Sequence, residues 1–364
     1  MTSSYPVALE SWGYSRAWHG KFESVGASGC FPARVIRDHR GYFRVITAKG
    51  ELIATTAGRL KHNAQHATEL PAVGDFVALK EVREDGHRHG RGVIQLVLPR
   101  VTVFKRKAAG HLTEEQIVAS NIDTVFIVCG LDSDYSPRRV ERYLILARES
   151  GARAVVLLNK ADKCADTTRP QSEVAALAGD TPVHLIAAKP RIGLEVLPPY
   201  LGAGDTIAFL GSSGAGKSTL INALLGEERQ ATREVREADS KGRHTTTERQ
   251  MFRLKGGALA IDTPGMRELQ LWSSAEDIAG AFADIEALAG KCRFRDCTHQ
   301  TEPMCAVRGA VEKGELNAER YAHFSKLREE ATAIGHLRDV KLRIEKKAAD
   351  RLIGKALKKH HPRG

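Results

Sequence analysis

Residues 206–218 read Thr206-Ile-Ala-Phe-Leu-Gly-Ser-Ser-Gly-Ala-Gly-Lys217-Ser218, and this stretch decides the fold. A short apolar run precedes a glycine-rich loop, and Leu220, Leu224 and Leu225 then recur at helical spacing. A strand, a loop of the form G-x4-G-K-S and a helix in this order bind phosphate, because backbone N–H groups and the helix N-terminus surround the anion. The sequence therefore predicts a nucleotide-binding α/β domain.

Two residues of this loop have predicted roles in catalysis and metal binding. Lys217 would reach the β- and γ-phosphates and act in catalysis, and Ser218 would ligate Mg²⁺. The expected phosphate-contacting residues are Gly211, Ser212, Ser213, Gly214, Ala215, Gly216, Lys217, Ser218 and Thr219.

A second motif, Asp262-Thr-Pro-Gly265, follows the apolar run Ala258-Leu-Ala-Ile261 and matches D-x-x-G. In this position, about fifty residues after the phosphate loop, Asp262 would hold Mg²⁺ through water. The N–H of Gly265 would contact the γ-phosphate. Together with the phosphate loop, this motif predicts a nucleotide triphosphatase.

A third motif, Asn159-Lys160-Ala161-Asp162, follows the continuous apolar strand Ala154–Leu158. Asp162 can accept hydrogen bonds from N1–H and N2–H₂ of guanine, a pair that adenine lacks, so the motif predicts selection of GTP over ATP. The stem of Lys160 would cover the base, and Asn159 would tie this loop to the phosphate loop. The alternative is a strand-end turn with a helix cap.

The order of these motifs is inverted. In ordinary GTPases the N-K-x-D tetrad follows the phosphate loop, whereas here it precedes that loop by about fifty residues. A nucleotide contacts loops according to their position in space, so moving the chain ends preserves the site. The inversion predicts a circularly permuted GTPase that binds GTP and GDP.

The polar segment Arg229–Glu248 has the composition of a switch loop. We expect Thr246, with Thr245 as the next candidate, to bind Mg²⁺ when the γ-phosphate is present and so to take part in catalysis. Met266 follows D-x-x-G where many GTPases have a water-orienting Gln, so His244 is the candidate catalytic residue. A solvent-exposed His244 without a catalytic role is the alternative.

Three cysteines and a histidine cluster after residue 290. Cys292, Cys297, His299 and Cys305 have the number and chemistry of a closed tetrahedral Zn²⁺ site, with one structural ion per chain expected. Ordinary buried cysteines are the alternative. Because six cysteines in 364 residues form no disulfide framework, a reducing cytoplasm is the expected location.

Short alternating segments between residues 31 and 100 predict a five-stranded barrel of the OB type, a fold that often binds nucleic acids. The predicted strands are Ala33–Arg37, Tyr42–Thr47, Glu51–Thr55, Asp75–Lys80 and Gly92–Val97. The residues expected to make its surface basic are Arg34, Arg37, Arg44, Arg59, Lys61 and Arg88. A barrel without a role in RNA binding is the alternative.

The net charge of +11 indicates a polyanionic partner. Residues 336–364 alone carry ten Lys or Arg against three acids, which predicts an RNA-binding tail or, alternatively, a solvated terminal helix. No apolar run approaches the length that spans a bilayer, so we expect no membrane partner.

The predicted organisation is multidomain. An N-terminal extension (1–30), either loose or partly docked, precedes the OB-type barrel (31–100), a central circularly permuted P-loop α/β GTPase domain (101–275), a C-terminal helical zinc-binding domain (276–335) and the basic tail (336–364).

The barrel, the permuted GTPase domain and the cysteine cluster, in this order, resemble the RsgA (YjeQ) family, the ribosome small-subunit-dependent GTPases. The resemblance covers residues 31–335, and smaller matches at Lys105-Arg106, Asn121-Ile-Asp123 and Arg138–Arg142 support it. It implies binding to the 30S subunit and its 16S rRNA, and we expect the protein to be a monomer. It also implies GTP hydrolysis stimulated by that subunit as a checkpoint in late maturation. A hydrophobic residue after D-x-x-G is typical of the family, whereas Ala187 replaces the serine expected in the guanine-side loop Ile186–Lys189.

Two alternatives stay open at this point. One is an rRNA-binding assembly factor that uses GTP with negligible turnover. The other is a permuted GTPase that acts on another ribosomal RNA.

Overall fold

The computed structural model describes most of the chain, namely residues 5–39, 41–82, 90–107, 115–226, 249–262, 275–333 and 335. These residues form two compact units, one with the barrel and the α/β sheet and the other with the C-terminal helices. Within the described ranges, no helix is long and apolar enough to cross a membrane.

A mainly parallel sheet forms the centre of the first unit, in the order β10-β9-β8-β11-β13-β12. Its strands are β8 (Thr124–Gly130), β9 (Arg153–Asn159), β10 (Val183–Leu185), β11 (Thr206–Leu210), β12 (Arg249–Arg253) and β13 (Leu259–Asp262). All pairings are parallel except that of β12 with β13. Every residue of β8 and β11 is buried, as continuous apolar runs predict for strands covered on both faces.

Helices follow the parallel strands, as expected for a doubly wound fold. They are α3 (Pro137–Ser150), α4 (Thr168–Ala178) and α5 (Lys217–Leu225). α3 begins with a proline, whose fixed φ suits the first helical position, and ends at Gly151, which has a φ of 79°. Both ends of α3 therefore follow from the local sequence.

The barrel is also confirmed. It is built from β1 (Phe31–His39), β2 (Tyr42–Thr47), β3 (Gly50–Thr56), β4 (Phe76–Val82) and β5 (Arg91–Val97), with α1 (Arg16–Ser24) before it and α2 (Gly58–Asn63) between β3 and β4. The strands pair in the order β1-β2-β3-β5-β4, and β4 returns to β1 to close the barrel. Alternate residues such as Val35, Val45 and Leu79 fill its interior.

Strand β12, which the sequence did not predict, joins the two sheets of this unit. It pairs with β13 along one side and with the barrel strand β1 along the other, through Arg37 with Gln250 and Asp38 with Arg249. The barrel and the α/β sheet are therefore connected by backbone hydrogen bonds as well as by side chains.

The prediction that Arg34 lies on the basic surface of the barrel is wrong, because its side chain lies in the core. Its side chain is 1% exposed. The guanidinium donates to the backbone oxygens of Trp12, Gly74 and Asn121 and to Thr206 Oγ1, at 2.5 to 3.3 Å. Burial lowers the pKa of Arg34 to about 10, and the nearby carboxylates of Asp123 and Asp75 oppose this shift. One side chain thus links the extension, the barrel and the first residue of β11.

A second buried polar group lies beside it. Asp75 is fully buried and accepts two hydrogen bonds from Arg100, each 2.7 Å long, and a third of 2.6 Å from Ser120 Oγ. Arg100 also donates to the backbone oxygens of Thr68 and Leu70. Arg100 follows β5 of the barrel, and Ser120 precedes β8 of the α/β sheet. Asp75 therefore connects the end of the barrel to the chain that leads into the sheet.

The N-terminal extension is docked from residue 5 onward rather than loose. Leu9 and Tyr14 are almost fully buried, and they pack with Phe22 against Phe76 and Leu98 of the barrel. The backbone of Gly13 lies so close to Arg34 and Gly204 that an added Cβ would meet them at 2.5 and 2.7 Å. The extension is thus part of the core of the first unit.

The hairpin of β6 (Val103–Lys107) and β7 (Glu115–Ser120) forms a separate two-stranded sheet. The Arg249 guanidinium donates to Ile117 O at 3.1 Å and to Gln116 Oε1 at 3.2 Å. The first residue of β12 therefore contacts the barrel by its backbone and the hairpin by its side chain.

The second unit is helical, as predicted. Among its described residues, the helices are α6 (Ala275–Ala281), α7 (Ala283–Ala289), α8 (Ala306–Glu312) and a further helical segment over residues 318–333. Phe282, Ile285 and Phe324 are buried in its core. The cysteine and histidine cluster lies in the irregular segment between α7 and α8.

Candidate functional site

The phosphate loop connects β11 to α5 at the carboxyl-terminal edge of the parallel sheet. Gly211 and Gly216 have φ values of 147° and 97°, and a Cβ at Gly216 would lie 2.2 Å from Asn159 Nδ2. Glycine is therefore required there by backbone conformation and by space. The Lys217 ammonium donates to Gly211 O at 2.7 Å and to Ser212 O, while Ser213 and Gly214 form the exposed tip. Ser218 and Thr219, in the first turn of α5, are half-buried.

Asn159, the last residue of β9, is 2% exposed. Its Nδ2 donates to Ala215 O in the phosphate loop at 2.8 Å, and its Oδ1 accepts from the N–H of Ala188 at 2.9 Å. The structure thus brings three predicted motifs together: the tetrad, the phosphate loop and the loop Ile186–Lys189. Ala187 contributes to the latter through backbone pairing with Ile192.

The tetrad residues after Asn159 lie outside the sheet. Lys160 has a φ of 64°, which turns the chain, and the one-turn 3-10 helix Ala161–Lys163 follows. The N–H of Ala161 donates to Ile186 O at 3.1 Å, and the side chain of Asp162 is exposed. The carboxylate is therefore accessible to a base at this edge.

Two acidic residues that the sequence analysis missed also lie here. The Lys160 ammonium forms an ion pair with Asp132, and Ser212 Oγ donates to Asp134. Burial would raise the pKa of Asp132, but the hydrogen bonds and charge of Lys160, with the Asp134 N–H, lower it below its ordinary value. Both acids directly follow β8, and β8 lies between β9 and β11 in the sheet. Their position at the end of a central strand is the signal that could have identified them.

Asp262 closes β13 at the same edge, on the other side of the phosphate loop. The remaining predicted residues of this site, His244, Thr245, Thr246, Gly265 and Met266, lie outside the residues that the structure describes. So do residues 336–364 of the predicted basic tail.

The second site is the predicted metal cluster. One ligand atom from each of Cys292, Cys297, His299 and Cys305 lies within 4.8 Å of the others. Cys292 Sγ lies 3.9 Å from Cys305 Sγ, and the His299 Nδ1 atom lies 3.6 and 3.5 Å from these two sulfurs. A tetrahedral Zn²⁺ with Zn–S of about 2.3 Å and Zn–N of about 2.0 Å would separate its ligands by about 3.5 to 3.8 Å. The four residues could therefore hold a metal ion of this size.

Surrounding groups hold these ligands in place. The Tyr321 hydroxyl donates to the backbone oxygen of His299, which has a φ of 65°, and the N–H of Arg308 donates to Cys305 Sγ at 3.5 Å. Burial would raise the pKa of Cys292, but hydrogen bonds, first from the N–H groups at the start of α8, lower it below its ordinary value. The hydrogen bonds to Cys292 favour its thiolate form, which is the form that binds metals.

Comparison with known proteins agrees with this geometry. The model of the RsgA GTPase family matches residues 97–272, and a model described as a 50S ribosome-binding GTPase matches residues 206–360. A small ribosomal subunit biogenesis GTPase RsgA from Opitutus terrae is 46% identical over 347 residues, covering 93% of this chain and 94% of that protein. The chain belongs to the RsgA GTPase family.

Other RsgA relatives extend over nearly the whole chain. The protein of the same name from Syntrophotalea carbinolica is 40% identical over 98% of this chain and 99% of its own length. Among solved structures, YjeQ from Thermotoga maritima is similar with a TM-score of 0.59 and 25% identity, over 83% of this chain and 99% of that one. YloQ, a circularly permuted GTPase, has the same fold, with a TM-score of 0.55 and 21% identity.

Membership of the RsgA GTPase family confirms two predictions. The chain is a circularly permuted GTPase, and a GTP-hydrolysing enzyme is what the family model describes. The motifs that are inverted in the sequence meet at one edge of the sheet, so their order is not a chance arrangement of weak patterns.

Proposed function

We propose that this GTPase binds GTP between the tetrad and the phosphate loop and hydrolyses it during maturation of the small ribosomal subunit. The observation that carries the nucleotide site is the pair of hydrogen bonds from Asn159, because they join the two motifs at one sheet edge. Ligands of open α/β sheets bind at this edge. The link to the small subunit rests on the names of its relatives.

Each motif has a defined role in this proposal. Asp162 accepts hydrogen bonds from guanine, and the stem of Lys160 covers the base. Backbone N–H groups of Gly211–Thr219 hold the phosphates, and the Lys217 ammonium, already held beside the loop, stabilises charge on the β- and γ-phosphates.

Mg²⁺ fits the oxygen ligands at this site, since Ser218 begins α5 and Asp262 ends β13, the strand beside β11. When bound, the ion neutralises developing charge on the phosphates. We propose Ser218 and Thr246 as direct ligands and Asp262 as a ligand through water. His244 is our candidate for orienting the attacking water, because Met266 offers no polar group for this task.

The metal of the second unit is proposed to be one structural Zn²⁺. Three thiolates and one imidazole leave no open coordination position, so the ion would stabilise the fold of the unit rather than take part in chemistry. The buried positions of Cys297, His299 and Cys305 support this role.

The proposed partner is the 30S subunit with its 16S rRNA, contacted by a monomer in the cytoplasm. The positive net charge supports a nucleic-acid partner. Because one matching model is described as a 50S ribosome-binding GTPase, the large subunit is the specific alternative.

The test is GTP turnover by the purified chain alone, with 30S subunits and with 50S subunits at equal concentrations. Stimulation by 30S alone supports the proposal, and stimulation by 50S alone favours the alternative. Tight binding to 30S without any stimulation would instead support an assembly factor that uses GTP as a structural ligand.

A further inference from the structure

The segment Leu131–Tyr135 lies between the two nucleotide-binding motifs. It follows β8, and β8 is the strand between β9, which carries the tetrad, and β11, which carries the phosphate loop. The N–H of Leu131 donates to Asn159 O at 2.8 Å, and the Tyr135 hydroxyl donates to Glu173 on α4 at 2.8 Å. Both ends of the segment are therefore anchored.

Its two carboxylates point in different directions. Asp132 pairs with the ammonium of Lys160, whereas Asp134 accepts from the hydroxyl of Ser212 and pairs with Arg139 at 2.5 Å. The N–H of Asp134 donates to Asp132 Oδ1 at 3.2 Å, which links the two acids to each other. One short segment thus contacts a side chain of each motif.

Space at Gly130 supports the position of Asp132. A Cβ at Gly130 would lie 2.8 Å from Asp132 Oδ1 and 3.6 Å from Lys160 Cδ. The absence of a side chain at the end of β8 therefore lets the carboxylate and the lysine stem lie against the backbone.

We propose that Asp132 and Asp134 are positioning residues of the nucleotide site. Asp132 holds the Lys160 side chain in the orientation that covers guanine, and Asp134 holds the phosphate loop through Ser212. Loops fixed in their binding conformation lose less freedom when the ligand arrives, so affinity rises. This inference rests on the proposed assignment of the site to guanine nucleotides.

Two double-mutant cycles test it, with GDP affinity of the full-length protein measured by calorimetry. Asp134→Ala and Ser212→Ala should each weaken GDP binding about fivefold to tenfold, as expected for loss of one charge-assisted hydrogen bond. The double variant should bind GDP no more weakly than Asp134→Ala alone, because Asp134→Ala already removes the bond to Ser212. Ser212→Thr keeps a hydroxyl and should restore most of the affinity.

The second cycle concerns the tetrad. Asp132→Asn should weaken GDP binding about threefold to tenfold in the natural chain. It should have no further effect in a Lys160→Met background, where the ammonium is already absent. An aspartate that merely stabilises the fold would cost the same affinity in both backgrounds.

Ser133→Ala is the matched control, since Ser133 is exposed between the two acids. Additive effects in both cycles, or variants that bind GDP as tightly as Ser133→Ala, would overturn the inference while leaving the proposed function intact. Failure of the natural chain itself to bind GDP would overturn the proposed function and this inference with it.

Discussion

The buried amide of Asn159 uses both of its polar atoms in hydrogen bonds to backbone groups, one in the phosphate loop and one at Ala188. A buried amide left without partners would cost about 1–3 kcal/mol per unsatisfied group, so its side chain has one favourable orientation. Displacement of the phosphate loop would break the bond to Ala215. At this scale, a single side chain joins the tetrad to the phosphate loop, so the proposed base recognition and phosphate binding would depend on the same residue.

We expect the exposed carboxylate of Asp162 to determine the preference for guanine over adenine nucleotides. Asp162→Asn should weaken GDP binding at least about tenfold and leave ADP binding unchanged, because the lost hydrogen bonds are charge-assisted and specific to guanine. Competition binding with both nucleotides measures this. Asp166→Asn, an exposed acid of the same loop, is the control. An unchanged preference for GDP over ADP would contradict the assignment of the tetrad.

His244 should affect the rate and not the affinity. His244→Ala should lower kcat about tenfold to a hundredfold while the Kd for a non-hydrolysable GTP analogue stays the same, since general-base catalysis acts in the transition state. His62→Ala, an exposed histidine of the barrel, is the control. Equal kcat values for His244→Ala and the natural chain would exclude His244 as the catalytic residue.

At the scale of elements, β12 is the link between nucleotide site and barrel. It begins at Arg249, the residue after the predicted switch segment, and bonds to β13 on one side and β1 on the other. β13 in turn ends at Asp262 of the D-x-x-G motif. The segments that would respond to the γ-phosphate are thus joined to the barrel through one strand.

The buried ion pair of Asp75 and Arg100 should contribute strongly to the stability of this unit. Arg100→Met should lower the free energy of unfolding by about 3–5 kcal/mol, because it leaves a buried carboxylate without its cation. Arg44→Met removes an exposed ion pair with Glu51 and should cost about 0–1 kcal/mol. Urea denaturation of both variants measures the difference. A cost for Arg100→Met no larger than that for Arg44→Met would refute this account of the junction.

Metal removal should affect the second unit alone. We expect about one zinc per chain by elemental analysis, and chelation should increase hydrogen exchange across α8 and residues 318–333 while the α/β sheet stays protected. Cys292→Ser should reproduce the loss of zinc, and Cys164→Ser should not. Full zinc content in Cys292→Ser would remove this residue from the ligand set.

The elements that the sequence predicted are those with a strong local pattern. Continuous apolar runs identified β9, β11 and β13, and alternation identified the barrel strands. Strand β12 was not predicted because Arg249-Gln-Met-Phe-Arg253 is short and has an arginine at each end. Its formation depends on neighbouring strands that are distant in sequence.

The same reason limited the prediction of the site. Motif spacing located the tetrad, the phosphate loop and the cysteine cluster, because each motif is contiguous or nearly so. Asp132, Asp134 and the buried position of Arg34 depend on which strands are adjacent, and sequence spacing does not encode strand order. The predicted domain boundaries stay predictions, because the barrel and the α/β sheet form one compact unit.

At the scale of the whole molecule, a GTPase core is combined with a barrel, a cysteine and histidine cluster that could hold a metal ion, and a net charge of +11. Contacts to rRNA phosphates would release counterions, so binding to a ribosomal subunit should weaken steeply as salt rises. An enzyme without a water-orienting glutamine after D-x-x-G should turn over slowly by itself. A partner that orders the catalytic residues would then control the rate.

The central claim is therefore tested most directly by GTP turnover with and without 30S subunits at low salt. We predict slow hydrolysis by the protein alone and an increase of at least about tenfold with 30S subunits, with no comparable increase from 50S subunits. Equal turnover with and without 30S subunits would contradict the claim that this GTPase acts on the small ribosomal subunit.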